Sequence, residues 1–525
     1  MMTLTALVLA AQVVVAPARA DTFKILGPRA MGMGGAFTAM AEGAIAQYWN
    51  PAALAQDAAD AVNSCWGVQL PVGAHAEFTG GVLHDANNLM DLSDKFSAIQ
   101  SAQKSGTAGA MDATKMAAFY KALPIINDLN QGGKGALADV AGGANFRAGR
   151  WAVSVNNFTS VGGTPFVDVT NIGLGTVNGA GGTGVSFAGA NTGAPAAANQ
   201  TAATTIANSI TASMLTNLNN LTNGALAAAG ITTPTQLGNA LVNFAATNGA
   251  SAAQITDAAT TISQNASAAA PLIQSGSQGN AYTNNKSAMT VRGASLTEVA
   301  FGHGRQVYPG VFLGGNLKVI FGSVGYTRFN VLQNGSNTAI KDMRDNAEKS
   351  VQPAVDLGAM WKVNQTFPNA KFNPRVGLVF RNVNNPGFNE PSIATTNGEP
   401  SKFHENGQLR MGLAVSPFHF WNLAFDCDLT KNNTLVQGYQ SRLMGLGTEV
   451  NVFNRTWINI PLRAGLMKNV ADSESKLAYT GGFGVHLVHF MFDVGASVSA
   501  DRTQIKDNKK VPSSLGLAAQ LGMMF

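Results

Sequence analysis

Apolar and polar residues alternate with period two through the C-terminal half of the chain. From Leu515 to Phe525 every odd position is apolar, while the even ones include Gly516, Gln520 and Gly522. Phe490, Phe492, Val494, Ala496 and Val498 form a second apolar face opposite Asp493, Gly495 and Ser497. In the segment 421–430, Trp421, Leu423, Phe425, Cys427 and Leu429 oppose Asn422, Asp426 and Asp428, and Ile458, Ile460, Leu462 and Ala464 oppose Asn459 and Arg463. The same alternation runs through 355–361, 376–380, 409–415, 444–452 and 477–487. A period of two places successive side chains on opposite faces of a strand. Turn-rich breaks at Asn384-Asn385-Pro386-Gly387, Ser416-Pro417 and 507–510 predict the hairpin connections.

One face of strand after strand is free of charge, which favours lipid over a soluble β-sandwich. Composition agrees: 46% of the 525 residues are hydrophobic and 12% are charged, against about 25% charged in soluble domains. After the N-terminal segment no apolar run approaches the roughly 18 residues of a membrane helix. Hydrocarbon leaves no partner for free backbone N–H and C=O groups, so a spanning chain without helices must close into a barrel. The expected fold class is all-β, a transmembrane antiparallel barrel of about 14 strands. On this reading Glu298, Lys318, Asp356, Arg381, Arg410, Asp426, Glu449, Arg463 and Asp493 face the lumen. With both signs present, that interior is a wet passage or a packed ion-pair network. Phe525 supplies the terminal aromatic that serves as a barrel signal.

Residues 1–20 read as a secretory signal, an apolar run with Ala18-Arg19-Ala20 before Asp21, although no positive charge precedes the run. A signal peptide and a barrel together imply the bacterial outer membrane, with its lipid and the barrel-assembly machinery as partners. The net charge of +5 comes with no dense basic block, so nucleic acid is not expected as a partner. Two cysteines, Cys65 and Cys427, allow one bridge and no C-x-x-C chemistry.

Two insertions interrupt the barrel, which spans 61–525. Residues 84–142 read as helical, with Leu89, Leu92, Phe96 and Ile99, then Met116, Phe119 and Leu123, at helical spacing. From 169 to 285 the only charged residue is Asp257, and Ala, Asn, Thr, Ser and Gly dominate. That composition predicts a long, partly disordered surface loop over 172–285. It is relieved by two short helices capped at Thr233-Pro234 and Ser251, with Asn248-Gly249 as the turn between them.

Enzyme signatures are absent from the linear sequence, which has no G-x-S-x-G elbow and no hydroxyl residue after the lysine of Gly132-Gly133-Lys134-Gly135. His486 and His489, three apart on a strand, fall on opposite faces, so a shared metal is not expected. Asp426 and Asp428 share a face, and Arg410 on a neighbouring strand would neutralise them. No catalytic residue, metal or cofactor is expected, and no enzyme.

The N-terminal segment 21–60 is dense in glycine: Leu26-Gly27-Pro28-Arg29-Ala30-Met31-Gly32-Met33-Gly34-Gly35-Ala36-Phe37, leading to Tyr48-Trp49-Asn50-Pro51-Ala52. It is no dinucleotide loop, since Phe37 stands where a third glycine would and no strand precedes it. The segment resembles the N-terminus of the FadL-type outer-membrane superfamily, where a Gly-rich stretch and an Asn-Pro-Ala motif fold as a hatch inside the barrel. Glu298-Val299-Ala300-Phe301, 313–318, 376–382, 426–431 and 462–466 are most similar to the TraF-like plasmid (conjugal) transfer branch, and more distantly to PorV-like proteins. The resemblance implies a hatch built on Gly32, Gly34, Gly35, Asn50, Pro51 and Ala52, and passive transport of a hydrophobic ligand, a fatty acid or hydrocarbon, past it. The alternative is a structural or assembly role with conjugation or secretion components as partners. A thioredoxin-like TraF of the F plasmid also exists, but no thiol role is implied without C-x-x-C.

Overall fold

In a computed structural model the chain is described over residues 23–56, 65–86, 88–89, 109–172, 185–276, 285–330, 339–455, 457–505 and 509–525. The expected signal at 1–20 and the helical positions Leu92, Phe96 and Ile99 lie outside these. The wall is a closed antiparallel barrel of 14 strands. In chain order they are β1 Trp66–Thr79, β2 Gly135–Ala148, β3 Trp151–Phe166, β4 Ala288–Tyr308, β5 Val311–Asn330, β6 Glu348–Lys362 and β7 Arg375–Arg381. The second half comprises β8 Gln408–Phe418, β9 Trp421–Asp428, β10 Leu443–Arg455, β11 Ile458–Asn469, β12 Ala478–Leu487, β13 Phe490–Ser499 and β14 Ser514–Met524. Each pairs with its neighbours in sequence, and β1 closes on β14 from Gly67↔Met524 to Glu77↔Ser514. Trp66 and Phe525 seal that seam, exchanging backbone hydrogen bonds and stacking with ring centroids 4.1 Å apart.

Closure removes the unpaired edge that lipid would not tolerate. The outward side chains are apolar and exposed, among them Leu317, Phe321, Leu462, Phe492, Leu517 and Leu521, which makes this a membrane-spanning barrel. Tight turns such as Gly149-Arg150, Pro309-Gly310 and Val488-His489 join strands at one end. The long connections lie at the other, except for 363–374 between β6 and β7. Among the described helices none is long and apolar enough to cross a membrane. Ser416-Pro417, expected as a turn, lies inside β8, and the reversal comes at His419-Phe420. Pro417 has no N–H to give the ladder, and the β8–β9 register shifts between Val415 and Phe418.

Residues 23–56 form a hatch, with α1 at Pro28–Gly32, α2 at Ala46–Trp49 and a 3₁₀ turn at Pro51–Ala55. The first insertion contributes α3, Ala113–Leu129, while residues from Gly135 on belong to β2 rather than to the helical stretch expected over 84–142. The second insertion corrects its expectation further. In place of a disordered loop it forms α4 Gln200–Ser209, α5 Ala212–Leu221, α6 Ala225–Ala228, α7 Pro234–Thr247 and α8 Ala252–Ser275. Thr233 and Ser251 each close a reciprocal capping box, with Gln236 and Gln254. Low charge misled the reading, because sparse apolar residues at helical spacing suffice once alanine lets helices approach closely. Met116, Phe119 and Tyr120 of α3 join Ile206, Leu218, Leu237, Leu241, Ile255 and Ile262 in one buried core.

Asp112 caps α3, accepting from the backbone N–H groups of Thr114 and Lys115 at 2.9 and 3.1 Å. Burial works against its charge, but these bonds and the hydroxyl of Thr114 hold the carboxyl below the usual carboxylate range. Its contribution is therefore complete above the ordinary carboxylate pKa and is lost as pH falls through the lowered one. Ile262, fully buried in the core that α3 shares with α4 to α8, a unit termed the cap, gives the stronger test. Ile262→Ala should lower the cap's own unfolding free energy by about 2 to 4 kcal/mol. Native-state proteolysis should then cleave within 200–275 while the barrel keeps its heat-modifiable gel mobility.

Candidate functional site

The hatch meets the wall backbone to backbone. A Cβ at Gly445 would collide with Gly34 O, at Gly447 with Met33 O, and at Gly495 with Pro28 O. Gly465 and Gly482 lie against Gly34 and Gly32 in the same seam. From the hatch side, Gly34 adopts φ +68° with Leu466 O and Leu446 O where a side chain would stand. Gly35 follows at φ +81°, a second left-handed position that glycine fills without steric cost. Of the hatch residues expected from sequence, Gly32 and Gly34 therefore lie in this seam and Gly35 turns the chain away from it.

Asn50, Pro51 and Ala52 make a second contact. The buried Asn50 side chain accepts from Ala52 N at 3.1 Å and donates to Ala359 O at 3.0 Å, tying the kink to β6. Cβ atoms at Gly314 or Gly358 would overlap Pro51. Above the kink Phe23, Phe37, Tyr48 and Trp49 pack as a buried aromatic cluster, with Phe158 of β3 stacked on Tyr48. Arg381 lies 4.1 Å from the Tyr48 ring and Arg410 4.0 Å from that of Phe23, so wall cations rest on hatch π faces.

The nine wall charges expected to face the lumen are all buried there, and the structure sorts them into three groups. Glu298 accepts from Arg381 at 2.7 Å and from Lys318 at 3.3 Å, and Lys318 also pairs with Asp356 at 2.9 Å. Arg410 pairs with Asp428 at 2.6 Å rather than with Asp426. Asp426 serves the hatch instead, accepting the backbone N–H groups of Phe37 and Thr38 at 3.1 and 2.9 Å. In the third group Arg463 bridges Glu449 at 2.8 Å and Asp493 at 2.6 Å, and His486 lies 3.1 Å from Asp493. His489 bonds Met524 O, away from His486. Cys65 and Cys427 form no disulfide with each other.

Sequence reasoning missed Arg29 and Lys24, the hatch cations. Arg29 grips both oxygens of Glu449 at 2.7 Å and also pairs with Glu42; Lys24 pairs with Asp139 of β2 at 2.5 Å. The signal that could have found the seam is the row of glycines at inward positions of dyad strands, since nothing else demands a bare wall.

Two cavities flank the hatch. A vestibule of about 1080 Å³ opens among the long connections and is floored by Phe23, Lys24, Ile25 and Met31. A second cavity of about 580 Å³ at the tight-turn end is lined by Leu26, Gly27, Arg29 and Ala30 together with Cys65 and Phe525. At the vestibule rim Lys134 pairs with Asp85 at 2.6 Å and with Asp128. Burial pushes the Asp85 carboxyl above the usual carboxylate range despite the lysine.

Arg29→Ala leaves Glu449 with Arg463 and the Asn422 amide, so the loss is below the cost of stranding a buried charge, about 3 to 5 kcal/mol. The expected result is a hatch cleaved by protease at least tenfold faster in an intact barrel (about 1.4 kcal/mol per tenfold). An unchanged rate would show that the glycine seam holds the hatch without the ion pair.

A sequence profile described as "F plasmid transfer operon, TraF, protein" matches residues 186–428. That span contains one cysteine, Cys427. No curated protein sequence matches the chain. Solved structures similar to it include a TodX deltaS2S3 mutant monoaromatic hydrocarbon channel, at 11% identity over 95% of this chain and 99% of that one, with TM-score 0.43. A Pseudomonas aeruginosa FadL homologue covers 97% and 98% at 9% identity and TM-score 0.39, and the Pseudomonas putida toluene transporter TodX covers 97% and 98% at 10% and 0.37. The profile match makes residues 186–428, just under half of the chain, similar to that plasmid-transfer TraF family.

Proposed function

We propose that the barrel passes a small hydrophobic molecule, of the fatty-acid class, from the vestibule to the tight-turn side by displacement of the hatch. One observation carries this reading: the short stretch 23–31 is at once the floor of the larger cavity and the wall of the smaller. Moving those few residues joins the two spaces without opening the strand ladder. The vestibule is lined by Ile25, Met31, Leu137 and Met467, with the Lys24–Asp139 pair among them and further lysines and carboxylates on the long connections. A lining that mixes apolar and charged groups suits an apolar chain with a polar end better than a bare hydrocarbon.

A second reading, a structural or assembly component of a conjugation or secretion system, is favoured by the profile match over 186–428 and by the buried ion pairs that hold the hatch. Uptake of radiolabelled oleate by cells lacking their own importer separates the two. Ile25→Arg places a charge on the vestibule floor and should cut uptake by about tenfold or more, since burying it costs beyond 1.4 kcal/mol. Uptake equal in wild type, variant and empty vector would reject transport. Loss of plasmid-transfer frequency on deletion would then support the anchor.

A further inference from the structure

The barrel brings together three residues far apart in sequence. His75 of β1 sits between β2 and β14, directly opposite Asp139 on one side and Gly516 on the other. Its Nε2 lies 2.9 Å from Ser514 Oγ, and its Nδ1 lies 3.7 Å from Asp139 Oδ2. All three line the vestibule. The order serine, imidazole, carboxylate is that of nucleophilic acyl transfer, and a loose base–carboxylate contact is common in a site without substrate.

Supporting groups surround the three. Lys24 of the hatch takes Asp139 Oδ1 at 2.5 Å, leaving Oδ2 toward His75. With its proton on Nδ1 facing Asp139, the imidazole presents Nε2 as acceptor for the Ser514 hydroxyl. Ser499 Oγ accepts Ser514 N at 3.0 Å, which fixes the start of β14. Ser497, 2% exposed and lining the same vestibule, has a hydroxyl without a hydrogen-bond partner among the described residues. A Cβ at Gly516 would touch both that hydroxyl and the His75 ring, so glycine keeps open the space between them.

We infer that Ser514, His75 and Asp139 form an esterase site in the vestibule, acting on carboxylic esters that carry an apolar acyl chain. Ser514 Oγ attacks the ester carbonyl carbon as its proton passes to His75 Nε2, and Ser497 donates to the oxyanion. The carbon–oxygen bond to the alcohol breaks, and the alcohol leaves with the proton from His75. Water then attacks the acyl carbon, gives a proton to His75 and releases the carboxylic acid, and that proton returns to Ser514. Asp139 is a positioning residue, and Lys24 holds it. The acyl chain lies on Ile25 and Met31, with the alcohol toward the mouth. The site needs no hatch movement, since it is complete with Lys24, Ile25 and Met31 in place.

The test uses the full-length barrel in detergent and a fluorophosphonate probe, with the adduct located by mass spectrometry. Expected is an adduct on Ser514 that forms only in folded protein, is absent in Ser514→Ala, and forms about 100-fold or more slowly in His75→Gln. p-Nitrophenyl octanoate should be hydrolysed by wild type and not by Ser514→Ala, and Asp139→Asn should lower kcat with KM unchanged. Absence of the adduct on folded wild type, equal labelling after heat denaturation, or equal rates in a folded His75→Gln would overturn the assignment. If His75→Gln fails to fold, the comparison of folded with denatured wild type decides alone.

Discussion

Hatch and wall lie against each other with no side chain between their backbones, because glycine stands at the points of contact on both. Gly445, Gly447, Gly465 and Gly495 leave the wall bare where Pro28 to Gly34 pass. A barrel of fourteen strands encloses more space than its own side chains fill, and a second chain segment at this distance excludes water from the seam. That exclusion has a cost, since any charge the wall points inward is cut off from solvent. The hatch returns what it removes: Arg29 for Glu449, Lys24 for Asp139, and two backbone N–H groups for Asp426.

The wall was legible because lipid imposes a strict rule on alternate positions. Leu515, Leu517 and Leu521 announce their face one residue at a time, and the charges of the opposite face could be named before their partners were known. Partners were not legible. Arg410 could have served Asp426 or Asp428, and the choice of Asp428 follows from strand register together with the claim of Phe37 and Thr38 on Asp426. The cap failed for a different reason. Residues 172–285 lack the charges that usually mark a helix's outer face, yet Leu237 and Leu241, then Ile255 and Ile262, keep helical spacing, and Thr233 and Ser251 mark two helix starts. Composition outweighed periodicity there, and periodicity was the better guide.

Ser514, His75 and Asp139 show a limit of another kind. Each stands in an ordinary alternating strand, and only barrel closure, which sets the last strand beside the first, makes neighbours of them. The same closure that satisfies the backbone at the seam thus creates a chemical environment no local motif encodes. Lys24 links that environment to the hatch, because its partner Asp139 is shared with His75.

That sharing constrains how the hatch can work. If stretch 23–31 moves to join the two cavities, Lys24 leaves Asp139 and Arg29 leaves Glu449 in the same motion, because both cations lie on the moving segment. Glu449 keeps Arg463 at 2.8 Å and is not stranded as a lone buried charge, while Asp139 keeps the His75 imidazole beside it and faces the vestibule. A wall anion that holds a second cation, as Glu449 does, releases the hatch at less than the full cost of breaking an isolated buried pair. A hatch held by the glycine seam alone would have no such graded release. On the proposed transport reading, the duplicated pairing of Glu449 is what makes a sealed lumen compatible with a hatch that moves.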